Sequence, residues 1–430
     1  MNQSDAEKYF DKGVELQKDG RHDEAIADYT KVIELGPNYI KAYSNRGNAY
    51  DKLGKHNEAI ADYTKAIELD PAFADAYIIR GHTYSQMGEL DSAIADYTKA
   101  IDLAPNIAEA YVIRGYTYGQ MGEHDLEIAD YTGAIKINPN VAEVYSIRSH
   151  SYDKLGEYDK AIADNTKAIK LDPNFSMAYN NRGIAYRNKG KHDLAIADFT
   201  KAIEIDPNDA VAYSNRGIAY DELSEHDLAI ADYTKVIELG PNYAGHYHAR
   251  RGLAYYQLGE YDQAITDFTK SIEIDPNDAG HYHARRGLAY YHLGEYDKAI
   301  TDFTKSIEID PNDAVAYSNR GSAYDELSEH DLAIADYTRA VELAPNYAKA
   351  FNNRGDAYVK LGNHDEAIAD FTKAIELDPA FADAYYNRGT AYKERGQKAK
   401  AAADFQTAII LTNDIELNRE IIGYIEELKD

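Results

Sequence analysis

Aromatic and small residues recur along the chain with the spacing of an amphipathic helix. Within residues 42–71, two sets of three such residues follow an i, i+4, i+7 pattern, which places each set on one helical face. The sets are Tyr43, Gly47 and Tyr50, then Ala59, Tyr63 and Ala66. Gly54 supplies a helix stop between them, and Pro71 ends the second helix because proline disfavours helix at the preceding residue. The pattern predicts a helix–turn–helix hairpin, in which the small Gly47 and Ala59 let the two backbones approach.

This hairpin is repeated through the whole chain. All 11 prolines occupy one position of a repeat, at intervals of 34 residues except for two intervals of 35. They are Pro37, Pro71, Pro105, Pro139, Pro173, Pro207, Pro241, Pro276, Pro311, Pro345 and Pro379. We predict twelve tandem copies over residues 1–413, near 6–39, 40–73, 74–107, 108–141, 142–175, 176–209, 210–243, 244–278, 279–313, 314–347, 348–381 and 382–413. Residues 414–430 then form a C-terminal capping helix, with no linker and no second domain.

A 34-residue helical hairpin with these anchor positions resembles the tetratricopeptide repeat (TPR). The residues that carry the resemblance are Tyr43, Arg46, Gly47, Tyr50, Ala59, Tyr63 and Pro71, with their counterparts in the other copies. Arginine replaces the usual leucine and tyrosine the usual tryptophan, variants associated with bacterial and archaeal members. The resemblance implies an all-α fold, a right-handed superhelical α-solenoid whose first helices line a concave groove. It also implies a non-enzymatic scaffold that binds a peptide segment or helix of a protein partner.

Composition narrows the classes of partner. The net charge of −28, from 46 basic and 74 acidic residues among 430, opposes binding to nucleic acid or an anionic membrane. The chain has no cysteine, which excludes disulfides, thiolate metal sites and a cysteine nucleophile. Its first residues lack the pattern of a signal peptide, and no apolar run approaches the ~20 residues that span a bilayer. We expect a cytoplasmic protein that is a monomer or a weak homo-oligomer.

Residues present in every copy are poor candidates for a unique catalytic site. Arg46 and Asp62 recur through the copies, which predicts an Arg–Asp series that ties helices or hairpins together. No HExxH, GxSxG or P-loop motif occurs. The two H-x-H pairs at 246–248 and 281–283 place their rings on different helix sides, so no metal and no cofactor is expected. The alternatives are an adaptor or regulatory module for an enzyme on another chain, such as a glycosyltransferase, and an RNA-binding helical repeat, which the charge disfavours.

Function is expected at positions that vary between copies. The residue before the repeated arginine is asparagine in six copies, and its amide can pair with the backbone of any extended peptide. These residues are Asn45, Asn181, Asn215, Asn319, Asn353 and Asn387. They are similar to the asparagine ladder of peptide-binding members of the TPR family. The alternative is that asparagine is merely tolerated there in a duplicated sequence.

Copies three to five carry isoleucine at the same position. Ile79, Ile113 and Ile147, with Tyr116 beside them, predict an apolar strip that binds a partner helix or peptide. The alternatives are packing against another part of the solenoid or against a second copy of the chain.

Copies eight and nine carry Arg250 and Arg285 at this position, with Tyr256 and Tyr291 expected to face the same way. The result is a basic and aromatic patch suited to a carboxylate or phosphate group. Each copy has one extra residue, which must shift the start of its first helix or form a π-bulge. The alternative explanation of their near-identity is a recent tandem duplication.

Copies four and five also break the repeated pattern. Glu127 replaces a small alanine, Ser149 a glycine and Asn165 an aromatic residue. An unpaired buried Glu127 would cost several kcal/mol, so we expect its helix to shift and solvate it. The same substitutions predict the weakest interface between hairpins here, with reduced protection from hydrogen exchange over residues 108–175.

Overall fold

The computed structural model describes residues 3–240, 244–276 and 279–427, except for the side chains of residues 3 and 4. The described residues form 25 α-helices and no strand. The chain divides into two compact units, Met1–Ala219 and Tyr220–Asp430. Each unit is a stack of antiparallel helical hairpins, so the predicted all-α solenoid of stacked helix–turn–helix hairpins is confirmed.

The first unit contains six complete hairpins and the first ten residues of α13. Its helices are α1 (Gln3–Lys18), α2 (His22–Leu35), α3 (Ile40–Lys52), α4 (His56–Leu69), α5 (Ala74–Gln86), α6 (Leu90–Leu103), α7 (Ala108–Gln120), α8 (His124–Ile137), α9 (Ala142–Lys154), α10 (Tyr158–Leu171), α11 (Ser176–Asn188), α12 (His192–Ile205) and α13 (Ala210–Glu222). The turn inside a hairpin ends on a residue with a left-handed backbone. Gly54 there has φ 73°, which glycine adopts without steric cost.

The second unit holds the remaining hairpins and the last helix. Its helices are α14 (His226–Leu239), α15 (Ala244–Gln257), α16 (Tyr261–Ile274), α17 (Ala279–His292), α18 (Tyr296–Ile309), α19 (Ala314–Glu326), α20 (His330–Leu343), α21 (Ala348–Lys360), α22 (His364–Leu377), α23 (Ala382–Glu394), α24 (Lys398–Leu411) and α25 (Ile415–Glu427). The extra residue of copies eight and nine lengthens α15 and α17 to 14 residues, so each helix begins one residue earlier relative to its repeated arginine. The described residues contain no π-helical turn.

Close packing inside a hairpin depends on the small residues that the sequence pattern singles out. A Cβ atom on Gly47 would lie 2.7 Å from Cε1 of Tyr63, so only glycine lets the ring pack against α3. Tyr63 is 1% exposed, and Ala49 and Ala59 are fully buried. The aromatic residue and the glycine therefore form one interlocked pair between the two helices.

The repeated arginine joins three helices. Arg46 forms a bidentate ion pair with Asp62 of the same hairpin, through Nε–Oδ2 and Nη2–Oδ1 distances of 2.8 Å. Its Nη1 also donates to Thr30 Oγ1 of the preceding hairpin at 2.9 Å. The hydrogen bond to Asp62 raises the pKa of Arg46 above its usual value. The predicted structural role of the Arg–Asp series is thus confirmed, and it ties both the helices of a hairpin and neighbouring hairpins.

The same contacts recur along the chain. The further Arg–Asp pairs are Arg80–Asp96, Arg114–Asp130, Arg148–Asp164, Arg182–Asp198, Arg251–Asp267, Arg286–Asp302, Arg320–Asp336, Arg354–Asp370 and Arg388–Asp404. Each of these arginines also reaches a threonine on the second helix of the preceding hairpin, as Arg80 reaches Thr64 at 2.9 Å. The threonine follows the buried aromatic residue, except Thr166, which follows Asn165. The threonine was not recognised from the sequence.

The expectation that Glu127 shifts its helix into solvent is wrong. Glu127 is only 8% exposed, and α8 keeps the same 14-residue length as the other second helices. Gly119 provides the space, because a Cβ atom there would lie 2.7 Å from Glu127 Oε1. The carboxylate is also paired, with Oε2 at 2.9 Å from His124 Nδ1. A neighbouring glycine and a neighbouring histidine therefore accommodate the buried charge without movement of the backbone.

Ser149 and Asn165 compensate for each other in the next hairpin. Asn165 Nδ2 donates to Ser149 Oγ at 2.7 Å and to the carbonyl oxygen of Ala161 at 3.2 Å. Both side chains are buried. A hydrogen bond thus replaces the aromatic–glycine contact of the other copies.

Candidate peptide-binding site

The first unit contains a cavity of about 590 Å³ that is framed by copies four to seven. We call it the apolar cavity. It is lined by Tyr116, Glu127, Tyr131, Ser146, Ile147, His150, Ser176, Met177, Asn180, Asn181, Asp206, Asp209 and Val211. Three of the residues predicted from the sequence, Tyr116, Ile147 and Asn181, meet here.

Large apolar side chains form the exposed wall of this cavity. Tyr116 is 61% exposed, Met177 54% and Val211 59%. Ile147 is half-buried and also packs against a cluster that contains Tyr131. An exposed apolar wall of this kind, bordered by polar side chains, is typical of an interaction surface.

Carboxylates surround the apolar wall. Asp209 Oδ1 accepts hydrogen bonds from the backbone nitrogen atoms of Val211 (2.9 Å) and Ala212 (3.1 Å), so it caps the start of α13 while keeping its charge. Asp206 accepts from the backbone nitrogen of Asn208 at 3.0 Å. Glu127 lies deeper, and burial together with this carboxylate raises the pKa of the Tyr131 hydroxyl. The cavity therefore joins an apolar surface to a negative potential.

The predicted asparagine series is partly used by the scaffold. Asn181 Nδ2 donates to Ser146 Oγ at 3.1 Å, Asn215 Nδ2 to Asn180 Oδ1 at 3.0 Å, and Asn387 Nδ2 to Asn352 Oδ1 at 3.1 Å. Each bond joins one first helix to the first helix of the preceding hairpin. A primary amide has two N–H groups and an oxygen, so one such bond leaves hydrogen-bonding capacity for a ligand. All six asparagines of the series are half-buried.

Of the isoleucine strip, one residue lines the apolar cavity. Ile79 and Ile113 are half-buried and lie outside the lining of the apolar cavity, which contains only Ile147 of the three. The neighbouring Ile78 and Val112 pack against buried clusters between hairpins. Binding of a partner by Ile79 and Ile113 stays a prediction.

The second unit contains a polar cavity of about 440 Å³. It brings together the predicted residues Tyr291, Asn353 and Asn387. Asp325, Glu326, Asp356 and Asp383 also line it, and Lys360 Nζ lies 2.6 Å from Asp325 and 2.9 Å from Asp356. Tyr291 donates to Glu326 at 3.2 Å, and burial with this carboxylate raises the pKa of its hydroxyl to about 12.

A smaller cavity of about 280 Å³ lies between copies eight and nine, and we call it the basic cavity. It is lined by His246, Ala249, Arg250, Leu253, Phe268, His281, Tyr282 and Arg285. Both predicted arginines line this cavity. Tyr256 lies outside the lining, although the Arg285 charge acts on its hydroxyl, whose pKa is raised chiefly by burial. Its ring packs edge-on against those of Tyr261 and His292, at centroid distances of 5.4 and 5.5 Å. Of the predicted patch, the two arginines line the basic cavity, Tyr291 lines the polar cavity and Tyr256 lines neither.

The sequence interpretation missed Met177 and Val211. Both occupy the second residue of a first helix, which is Lys41, Asp75 or Glu109 in three earlier copies. An apolar residue at a position that is charged in these earlier copies was the available signal, although Val315 shares it in another copy.

Sequence models of the tetratricopeptide repeat match nearly the whole chain. One model described as "Tetratricopeptide repeat" matches residues 40–73, 74–107, 176–209, 210–243, 247–278 and 314–347. A model described as "TPR repeat" matches 13–54, 150–190, 287–328 and 355–396, and three further tetratricopeptide repeat models match 108–141, 336–369 and 382–415. The chain belongs to the tetratricopeptide repeat family. This family membership makes it a protein-interaction scaffold in general.

Solved structures of the same family resemble the chain. The protein MamA is 34% identical over 38% of this chain and 96% of its own, with a TM-score of 0.37. Yeast Tom70 is 19% identical over 99% of this chain and 95% of its own, with a TM-score of 0.42. A tetratricopeptide repeat protein from Parabacteroides merdae is 22% identical over 67% of this chain and 99% of its own, with a TM-score of 0.40. No curated protein matches the chain.

The described residues contain neither a membrane-spanning helix nor a cluster of side chains suited to a metal ion. Among the described residues, none of the helices has the length and apolar character needed to cross a bilayer. Within the same residues, His, Asp and Glu side chains form no group of three or more that could hold a metal ion.

Proposed function

We propose that this chain is a scaffold that binds an extended peptide segment of a protein partner, and that the apolar cavity holds one apolar side chain of that peptide. The observation that carries the proposal is the exposed wall of Tyr116, Met177 and Val211 in a cavity of about 590 Å³. This volume lies within the roughly 300–1,000 Å³ range of ligand-binding pockets. The wall also lies beside copies four and five, where the repeated pattern is broken.

The negative charge around the cavity favours a peptide with a basic residue next to its apolar anchor. Glu127, Asp206 and Asp209 line the cavity, and the whole chain has a net charge of −28. A lysine or arginine next to the apolar anchor would face these carboxylates, whereas an acidic flank would be repelled. The proposed ligand is therefore a leucine-, methionine- or phenylalanine-type anchor with a basic neighbour.

The amide of Asn181 supports an extended conformation of this peptide. It lies in the same cavity, and one N–H donates to Ser146. The second N–H and the amide oxygen can pair with a peptide backbone whatever side chains the peptide carries. Affinity would then come from the anchor and the backbone, and selectivity from the basic flank.

A matched pair of variants tests the site. Val211 and Val315 lie in identical segments, AVAYSNRG at 210–217 and 314–321, and are 59% and 51% exposed. Asp209 and Asp313 cap their helices in the same way. Only Val211 lines the apolar cavity. Val211→Asp places a charge against the anchor, and Val315→Asp controls for any effect on helix stability.

The measurement uses the full chain and a library of peptides with a central apolar residue and varied flanks. We expect selection of basic-flanked peptides, and fluorescence anisotropy should show that Val211→Asp weakens their binding about tenfold or more. Val315→Asp should leave the Kd unchanged. Equal affinities of the two variants, or failure to select any peptide, would overturn the proposal.

A further inference from the structure

Copies eight and nine share a motif of paired basic residues, H-x-H-A-R-R, at 246–251 and 281–286. The second member of each pair belongs to the scaffold. Arg251 forms the repeated bidentate pair with Asp267, at 2.7 and 2.8 Å, and His248 Nδ1 lies 2.7 Å from Asp267 Oδ1. Arg286 and His283 repeat these contacts on Asp302.

The first member of each pair has a different environment. His246, Arg250, His281 and Arg285 all line the basic cavity, whose lining contains no carboxylate. Copy eight supplies one arginine and copy nine supplies the other. The tandem arrangement therefore creates a surface with two guanidinium groups, which neither copy provides alone.

Among the described residues, no carboxylate pairs with either guanidinium group of the cavity. Arg285 forms no hydrogen bond or ion pair with any residue in the described part of the chain. Arg250 Nε donates to His246 Nε2 at 2.9 Å. The Arg250 charge also acts on the Tyr233 hydroxyl, which donates to Asp221 at 2.6 Å and whose pKa is raised, chiefly by burial. Two half-buried arginines with no counter-ion in the described part of the chain stand out here, because the chain has 74 acidic and only 46 basic residues.

We propose that the basic cavity binds an anionic group with two or more oxygen atoms, a carboxylate or a phosphate monoester. Each guanidinium group can direct two N–H donors towards such oxygens, which is the geometry that arginine offers to both anions. Leu253 and Phe268 form an apolar wall beside the arginines, and exclusion of water there strengthens the charged hydrogen bonds.

The size of the cavity limits the ligand. Its volume of about 280 Å³ lies just below the roughly 300–1,000 Å³ range of ligand-binding pockets. A carboxylate or phosphoryl group on a small apolar or aromatic carrier fits this space. The site is separate from the apolar cavity and does not depend on the function proposed for that cavity.

Benzoate and phenyl phosphate are suitable probes, because each joins one of the two anions to an aromatic ring. Titration of the full chain by isothermal calorimetry should show saturable binding of at least one probe. The preferred probe identifies the anion. Absence of binding for both probes at millimolar concentration would overturn the proposal.

Variants at the arginines test the location. Arg250→Asn and Arg285→Asn introduce the residue that six other copies carry at this position, so the helices are expected to stay folded. Each should weaken binding about tenfold or more, and the double variant should abolish it. Arg339→Asn removes the same charge from an exposed pair with Glu342 and should change nothing. Unchanged binding in the double variant, with unchanged circular dichroism, would place the anion elsewhere and contradict the proposal.

Discussion

At the residue scale, the repeated positions specify the fold by a few interlocking contacts. Tyr63 fills the space that Gly47 leaves, and Arg46 is held by Asp62 and Thr30. Arg46 and Asp62 side chains are 17% and 8% exposed. Removing one member would leave a half-buried charge without its partner, which costs about 3–5 kcal/mol at fully buried sites and less here because water reaches the guanidinium. The residue types at these positions are therefore required for the stability of the fold.

Departures from the repeated pattern are compensated within one contact shell. Gly119 leaves room for the carboxylate of Glu127, and Ser149 Oγ accepts a hydrogen bond from the side-chain amide of Asn165. The sequence showed that Glu127 and Asn165 are unusual. It did not show that Gly119 and Ser149 accommodate them, because these residues lie on the other helix of each hairpin. Side-chain size alone does not reveal which neighbour yields.

We predict that the effect of Gly119→Ala on the free energy of unfolding changes sign when Glu127 is replaced. Gly119→Ala brings a Cβ atom to 2.7 Å from Glu127 Oε1, so we expect the free energy of unfolding to fall by about 1–3 kcal/mol. In a Glu127→Ala background the clash is gone, and the same Gly119→Ala change should add about 1 kcal/mol because alanine favours helix. Urea denaturation of the four proteins measures this cycle. Destabilisation of similar size in both backgrounds would show that Gly119 is not there to accommodate Glu127.

At the element scale, much of the architecture could be predicted from the sequence. The proline positions and the i, i+4, i+7 spacing indicate paired helices, and first helices begin at Ile40, Ala74 and Ala108. Hairpins of this kind bury their apolar faces only by stacking, so the all-α solenoid follows from the repeat itself. The cavities could not be predicted, because their walls combine residues such as Tyr116 and Val211 from separate copies.

The last helix illustrates an element whose role depends on a single buried contact. Ile421 of α25 is fully buried and packs against a cluster that contains Phe405, whereas its neighbour Ile422 is 49% exposed. Lys393 Nζ lies 3.9 Å from the ring centroid of Tyr424 and 2.7 Å from Glu427, which adds contacts at the surface. We propose that α25 caps the repeat array by covering the apolar face of the final hairpin.

Ile421→Ala should therefore loosen the C-terminal end. We expect a loss of about 2–5 kcal/mol in the local stability of α24 and α25, since the substitution leaves a cavity in a buried cluster. Ile422→Ala is the matched control and should change stability by less than about 0.5 kcal/mol. Hydrogen exchange of the amides in α24 and α25 measures both. Equal protection in the two variants would mean that α25 does not act as a cap.

At the scale of the whole molecule, one scaffold carries surfaces of different chemistry. The apolar cavity is bordered by carboxylates, the polar cavity contains four acidic residues and one lysine, and the basic cavity is lined by arginine and histidine. The repeated arginine and aspartate are present in the copies around all three. Differences in what the chain binds are therefore attributed to a few variable positions, such as the residue before the repeated arginine.

The proposed function depends on the binding of a peptide in the apolar cavity of the first unit. The most direct test is a nuclear magnetic resonance titration that follows methyl groups of the full chain as a selected basic-flanked peptide is added. We expect the methyl signals of Met177 and Val211 to shift and saturate together with binding. The signal of Val315, in the matched segment, should stay in place. Saturable shifts at Val315 without shifts at Met177 and Val211 would contradict peptide binding in the apolar cavity.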